Sequence, residues 1–257
     1  MIIIGLLSGF LGGLLGIGGG VVIVPALILL FEATQTYPPQ AITVAAVGTS
    51  LACIVFTSMS AAITQVRAGK VRWDLFRRLV IYFVLGSALA GLLTPYLPAD
   101  VLRLFIGLFL LFVAVVMLRD WKPAPHLELP GGAGAAAIGV GGGMIAGTAG
   151  IAGGNVIVPT FVYFNVPVHN ATATSSAMGV LIAAAGAIAY MVWPTQTSQS
   201  FGYVDLPSFV IITVAAVVAA PIGVRVAHRV QAARLKQAFG LLLVFVSVRM
   251  LWSALSL

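Results

Sequence analysis

The chain has 257 residues, 61% of them hydrophobic and only 7% charged, with a mean hydropathy of +1.13. Soluble domains carry about 25% charged residues, and no polar stretch here exceeds about a dozen residues, so a water-soluble fold and a separate soluble domain are both excluded. The net charge of +7 does not indicate nucleic acid, because the basic residues are scattered over short loops, as is ordinary in membrane proteins.

Eight apolar segments follow one another, at roughly 2–31, 40–66, 75–97, 101–119, 131–165, 170–193, 204–224 and 237–256. Runs of about 18 or more apolar residues have the length needed to cross a bilayer. The predicted class is therefore an all-α polytopic membrane protein. Met1 to Gly5 lack the basic region of a signal peptide and read as the start of a membrane segment. Cys53 is the only cysteine, which excludes an intramolecular disulfide and any CxxC motif.

The first segment carries Gly16-Ile17-Gly18-Gly19-Gly20 followed by Val24-Pro25, and the fifth carries Gly150-Ile151-Ala152-Gly153-Gly154-Asn155 followed by Val158-Pro159, 134 residues later. Such clusters unravel a helix, and in lipid an unwound backbone is tolerated only where protein buries it or a polar cavity borders it. The upstream glycines spaced by four (Gly5, Gly9 and Gly13; Gly12, Gly16 and Gly20; Gly139, Gly143 and Gly147) predict close helix packing instead. Pro25 and Pro159 stand too far along to open the following half-helices and are expected to kink them.

Other landmarks repeat in the same order. Thr49-Ser50 in segment 2 matches Thr174-Ser175 in segment 6 at an offset of 125, and Gly69, Val71 and Gly107 match Gly202, Val204 and Gly240 at an offset of 133. The drop in offset places a nine-residue excess between Glu32 and Gln40. The expected organisation is a first transmembrane repeat over 1–121, a polar linker over 122–130 and a second repeat over 131–257.

Charge bears on how the segments cross. With eight single crossings, the 13 Lys and Arg residues divide eight against five. If segment 5 turns back at its glycines they divide eleven against two, with only Arg103 and Arg249 opposite, as the positive-inside rule favours. Segment 5, at about 50 Å as one straight helix, is also too long for one upright span. By symmetry segment 1 is then a hairpin and the repeats are inverted; a single broken span in each half is the alternative.

Two broken apolar segments in corresponding places point to a transporter's binding site. A half-helix starting near Val21 or Asn155 offers free N–H groups and a positive dipole end, which suit an anion. Asn155 adds an amide and is a candidate cap. The candidate substrate-binding residues are Gly16, Gly18, Gly19, Gly20, Thr49, Ser50, Gly150, Gly153, Gly154, Asn155, Thr174 and Ser175. Four hydroxyls and two helix ends would replace an oxyanion's hydration without a fixed countercharge, permitting release. His169 and Arg249 are candidates for proton or anion attraction. No residue cluster suits a metal, no nucleophile–base pair suggests an enzyme, and no cofactor or ATP-binding motif is present.

At these residues the sequence resembles the sulfite exporter TauE/SafE family of membrane transporters. The twin glycine stretches, Ala46-Val47-Gly48-Thr49-Ser50 with its partner at 171–175, and Gly202-Tyr203-Val204-Asp205 carry the resemblance over nearly the whole chain. Ala152 and Ala173 depart from the first repeat's glycines. The resemblance implies a permease of the bacterial cytoplasmic membrane for small sulfur-containing anions such as sulfite or sulfonates, with the motif glycines, Asn155 and the Thr-Ser pairs as its lining. The expected activity is secondary transport coupled to a proton or ion gradient. A passive anion channel and a non-transporting scaffold or accessory subunit are the alternatives. The oligomeric state is open, a homodimer being one option.

Overall fold

A computed structural model describes residues 1–15, 18–118, 129–151, 153–227 and 232–255. Gly16, Ala152 and most of the 122–130 linker lie outside the described residues. The chain forms α1 (Ile2–Leu15), α2 (Gly20–Thr34), α3 (Pro39–Arg67), α4 (Trp73–Leu93), α5 (Ala99–Leu118), α6 (Gly132–Ala149), α7 (Gly154–Tyr163) and α8 (Val168–Met191). A two-stranded antiparallel hairpin, β1 (Ser200–Phe201) and β2 (Val204–Asp205), leads into α9 (Leu206–Ala227), and α10 (Ala232–Leu255) follows.

By length and composition six described helical stretches can cross a bilayer: Pro39–Arg67, Trp73–Tyr96, Ala99–Val116, Gly132–Ala149, Val168–Met191 and Leu206–Gly223. The apolar segments 1 and 5 are each divided into two shorter helices, α1 with α2 and α6 with α7. Leu108, Phe112, Val214, Val218, Leu241 and Phe245 are exposed on the outer helices, which is where a bilayer replaces water as solvent. The protein is a multi-pass membrane protein.

Small residues set the helix pairs. Gly5 lies against Ile212 and Ala215, Gly9 against Ala216 and Gly13 against Ala220, so α1 runs parallel to α9. Gly139 meets Tyr82, Gly143 meets Phe83 and Gly147 meets Ser87 and Ala90, so α6 runs parallel to α4 in the same way. A side chain at any of these glycines would collide with the partner's backbone or Cβ, so these glycines pack as their spacing predicts. Gly12 does not join them, but faces Gly18 and Gly19 across the first break.

The outer ends of each broken segment come back to one end of the bundle. Ser208 near the start of α9 reaches Met1, at 3.9 Å from its sulfur, while Tyr37, just beyond α2, donates to Asp205 Oδ1 at 3.0 Å. Both ends of α1–α2 thus sit at the N-terminus of α9. For α6–α7, Arg78 donates to Pro130 O at 3.0 Å and Asn170 donates to Lys70 O at 2.8 Å, so both ends of that pair sit at the N-terminus of α4. These are opposite ends of the bundle, because α4 finishes where Tyr96 stacks on Trp193, 5.0 Å away and shortly before β1.

Two cross-chain hydrogen bonds seat the segments entering α4 and α9. The Thr49 hydroxyl on α3 accepts the Asp205 N–H at 2.9 Å, and the Thr174 hydroxyl on α8 accepts the Arg72 N–H at 3.0 Å. Thr174 passes its own proton to Asn170 O, one turn back, at 2.7 Å. Thr49→Val leaves the Asp205 N–H buried without an acceptor, a loss of about 1–3 kcal/mol. It is expected to lower the thermal unfolding midpoint in detergent; an unchanged midpoint would contradict the seating role.

Candidate functional site

Both breaks rest on glycine in the left-handed region. Gly18 and Gly19 have φ of 74° and 79°, and Gly150 and Gly153 have φ of 70° and 76°, values that strain any residue with a Cβ. Gly19 is the N-cap of α2, its carbonyl accepting the N–H of Val22 at 3.0 Å and of Ile23 at 3.2 Å. Gly153 caps α7 the same way, accepting from Val156 at 2.8 Å and Ile157 at 2.6 Å. Neither helix has a side-chain cap. The N–H groups of Gly20 and Val21, and of Gly154 and Asn155, therefore have no acceptor in their own helix, and each N-terminus carries a partial positive charge of about half an elementary unit.

The two breaks touch. A Cβ on Gly20 would lie 2.5 Å from Gly150 O and 3.0 Å from Ile151 Cα, and one on Gly150 would lie 2.7 Å from Val24 Cγ2. The Ser50 hydroxyl donates to Gly150 O at 2.8 Å, satisfying a carbonyl that the unwound backbone cannot pair. Thr57 donates likewise to Gly18 O at 3.2 Å. Pro25 and Pro159 each stand sixth in α2 and α7, so they lack the N–H that would bond the carbonyls of Val21 and Asn155 one turn earlier.

The polar side chains around the breaks divide into engaged and free. Thr49, Thr174 and Ser50, three of the expected lining hydroxyls, each make a hydrogen bond with a backbone group. Asn155 does not cap α7, because it is the second helical residue and Gly153 occupies the cap. Its amide Nδ2 is buried with no hydrogen-bond partner, and so is the Ser175 hydroxyl. Asn155 is 8% exposed and Ser175 is 1% exposed. A buried polar atom without a partner costs about 1–3 kcal/mol, so the Asn155 amide at the second break calls for an occupant. Thr197, before β1, and Thr213, on α9, are also without partners. The halves differ here: Val21 stands where the second half has Asn155, and Ser50 is satisfied where Ser175 is not.

His169 and Arg249 are not brought to the breaks. His169 is exposed at the start of α8, and Arg249 is exposed on α10, where it borders a cavity of ≈ 90 Å³ with Pro25, Glu32 and Arg103. Two polar pairs escaped the sequence reading. Arg103, in the first turn of α5, is 7% exposed, with its guanidinium 3.1 Å from Glu32 Oε1 and its Nε donating to Thr43 Oγ1 at 3.2 Å. A lone arginine at the edge of an apolar segment was the available signal. Asp205 is 3% exposed; Oδ1 accepts the Tyr37 O–H and Oδ2 accepts the Ser208 N–H at 2.9 Å, capping α9. Burial and the adjacent Asp205 carboxylate raise the Tyr37 phenol above its ordinary pKa, so it remains a donor at neutral pH. Tyr37 lies in the nine-residue excess of the first half. Among the described residues no three His, Cys, Asp or Glu side chains stand together as metal ligands do.

Relatives extend this picture. The chain is 29% identical to a probable membrane transporter protein of Haemophilus influenzae, covering 97% of this chain and 96% of that one. It is 26% identical to a probable membrane transporter protein of Methanocaldococcus jannaschii, covering 92% and 88% of the two chains. A probable membrane transporter protein of Bacillus subtilis, YunE, is 27% identical over 75% of this chain and 77% of its own. No solved structure matches the chain. The family model described as sulfite exporter TauE/SafE matches residues 1–250, nearly the whole length, and the chain belongs to that family.

Proposed function

We propose that the protein is a secondary carrier for a small sulfur-containing oxyanion, such as sulfite or a short sulfonate, bound where the two glycine breaks meet. The observation that carries this reading is the buried, unpartnered amide of Asn155, Nδ2, at the break whose α7 N-terminus offers two further N–H donors. All three are donors, and none brings a full charge. An oxyanion with several acceptor oxygens matches that set, and the lack of a countercharge lets it leave. The sulfur chemistry rests on the family description; the relatives' names extend only to membrane transport.

Packing supports an inverted repeat. Exchanging the halves turns the α1–α9 contact into α6–α4, α3–α9 into α8–α4 and α2–α3 into α7–α8, while α3–α8 and α5–α10 pair counterparts with each other. Because α1–α2 opens at one end of the bundle and α6–α7 at the other, rocking one half against the other would expose the breaks to each side in turn. Arg67, Lys70, Arg72, Arg77, Arg78 and Arg225 sit at the α6–α7 end, and Arg103 and Arg249 at the opposite end, which favours a cytoplasmic α6–α7 opening in the cytoplasmic membrane. The absence of an ATP-binding motif leaves a proton or ion gradient as the energy source. A passive channel would use the same donors but would not saturate or follow an imposed gradient.

Two outcomes are expected. In proteoliposomes, flux of sulfite or a short sulfonate saturates and rises with an imposed pH gradient, and Asn155→Leu raises the half-saturating concentration about tenfold, the equivalent of one charge-assisted hydrogen bond of about 1.4 kcal/mol. Unsaturable flux, or an unchanged half-saturation in Asn155→Leu, would contradict the reading. For orientation, buried Cys53 gives a silent background, and the exposed positions Gln199 and Val168 mark the two ends. An impermeant maleimide added to whole cells is expected to label Gln199→Cys and not Val168→Cys; the reverse pattern would invert the topology.

A further inference from the structure

A second built feature lies apart from the breaks. The cavity of ≈ 90 Å³ between α2, α5 and α10 has three charged side chains, Glu32, Arg103 and Arg249, on otherwise apolar walls that include Ile28, Val246 and Met250. Arg103 and Glu32 are ion-paired at 3.1 Å, which leaves the cavity with the net charge of one arginine. Arg249 is exposed and forms no ion pair among the described residues. The outer wall is open to the bilayer: Phe245, which borders the cavity, is 70% exposed, and Trp252, less than a turn beyond Arg249, is 75% exposed. A tryptophan so exposed near a helix end marks the headgroup level of the membrane.

We propose that this cavity holds the phosphodiester headgroup of a bilayer phospholipid, with Arg249 on the phosphate and the acyl chains lying over Phe245 and the apolar face of α10. Charge complementarity selects an anion, and the lipid-facing wall selects one that carries hydrocarbon. A guanidinium presents a planar pair of donors to two phosphate oxygens. Basic pockets between transmembrane helices bind lipid headgroups by this chemistry. The placement has a consequence for transport. Pro25 and Glu32 belong to α2, whose N-terminus is one side of the break, so a lipid seated here braces the returning arm of the first hairpin against α5 and α10.

The test uses the full-length protein, purified in detergent and stripped of lipid, with native mass spectrometry as the readout. Phosphatidylglycerol, diacylglycerol, inorganic phosphate and ethanesulfonate are titrated separately. Phosphatidylglycerol is expected to give a saturating one-lipid adduct, weakened about tenfold by Arg249→Ala and largely retained by Arg249→Lys. Diacylglycerol and the free anions are expected not to compete with it. Because Arg249 is exposed, an unchanged thermal midpoint is expected for Arg249→Ala, which separates lost binding from lost fold. An adduct indifferent to Arg249→Ala would overturn the site. Displacement of the lipid by ethanesulfonate would make the cavity a station on the substrate's path, and displacement by diacylglycerol would make it a non-selective apolar groove; either would overturn the headgroup assignment.

Discussion

Everything in this protein depends on how an unwound backbone is kept satisfied inside a membrane. A broken helix leaves N–H and C=O groups that hydrocarbon cannot solvate, at several kcal/mol each. The first half's serine solves part of that problem for the second half's break: Ser50 on α3 donates to Gly150 O, while Gly20 allows the start of α2 to lie against the same carbonyl. The breaks are therefore packed against each other, with a carbonyl of the second satisfied by a hydroxyl from α3. Thr49 and Thr174 extend the arrangement outward by fixing the segments that lead into α9 and α4.

That economy explains why so few polar groups are left over. Most hydroxyls near the breaks are consumed by the backbone, as in membrane helices generally. Among the described residues the buried side chains left without a partner are Asn155, Ser175, Thr197 and Thr213, and of these Asn155 stands at a break. The two breaks are chemically unequal: each supplies a pre-formed helix N-terminus, and Asn155, where α2 has Val21, supplies the side chain that distinguishes one of them. In the proposed carrier the asymmetry orients the anion, while the symmetric packing supplies two exchangeable openings.

Much of this was legible in the sequence because the signals were local. Glycine clusters in apolar runs report backbone that cannot stay helical, and glycines spaced by four report close helix contact. Both are properties of a few consecutive residues. The roles of Thr49, Ser50 and Thr174 were not legible, since a hydroxyl's partner depends on which helix passes beside it, and those partners lie about 100 or more residues away. Arg103 was hidden for the same reason. At the edge of a segment it reads as a loop charge, and only the approach of α2 and α3 places Glu32 and Thr43 around it. Asn155 was legible as a polar residue in a break but not as an unpaired one, because that state depends on every neighbour together.

The most direct test of a substrate at the junction of the breaks is to locate the anion itself. A crystal of the protein grown with 2-bromoethanesulfonate would report the ligand by the anomalous scattering of its bromine. One dominant peak is expected at the second break, with sulfonate oxygens within hydrogen-bond reach of Asn155 Nδ2 and the N-terminus of α7. A dominant peak in the cavity beside Arg249, with the breaks empty, would contradict it.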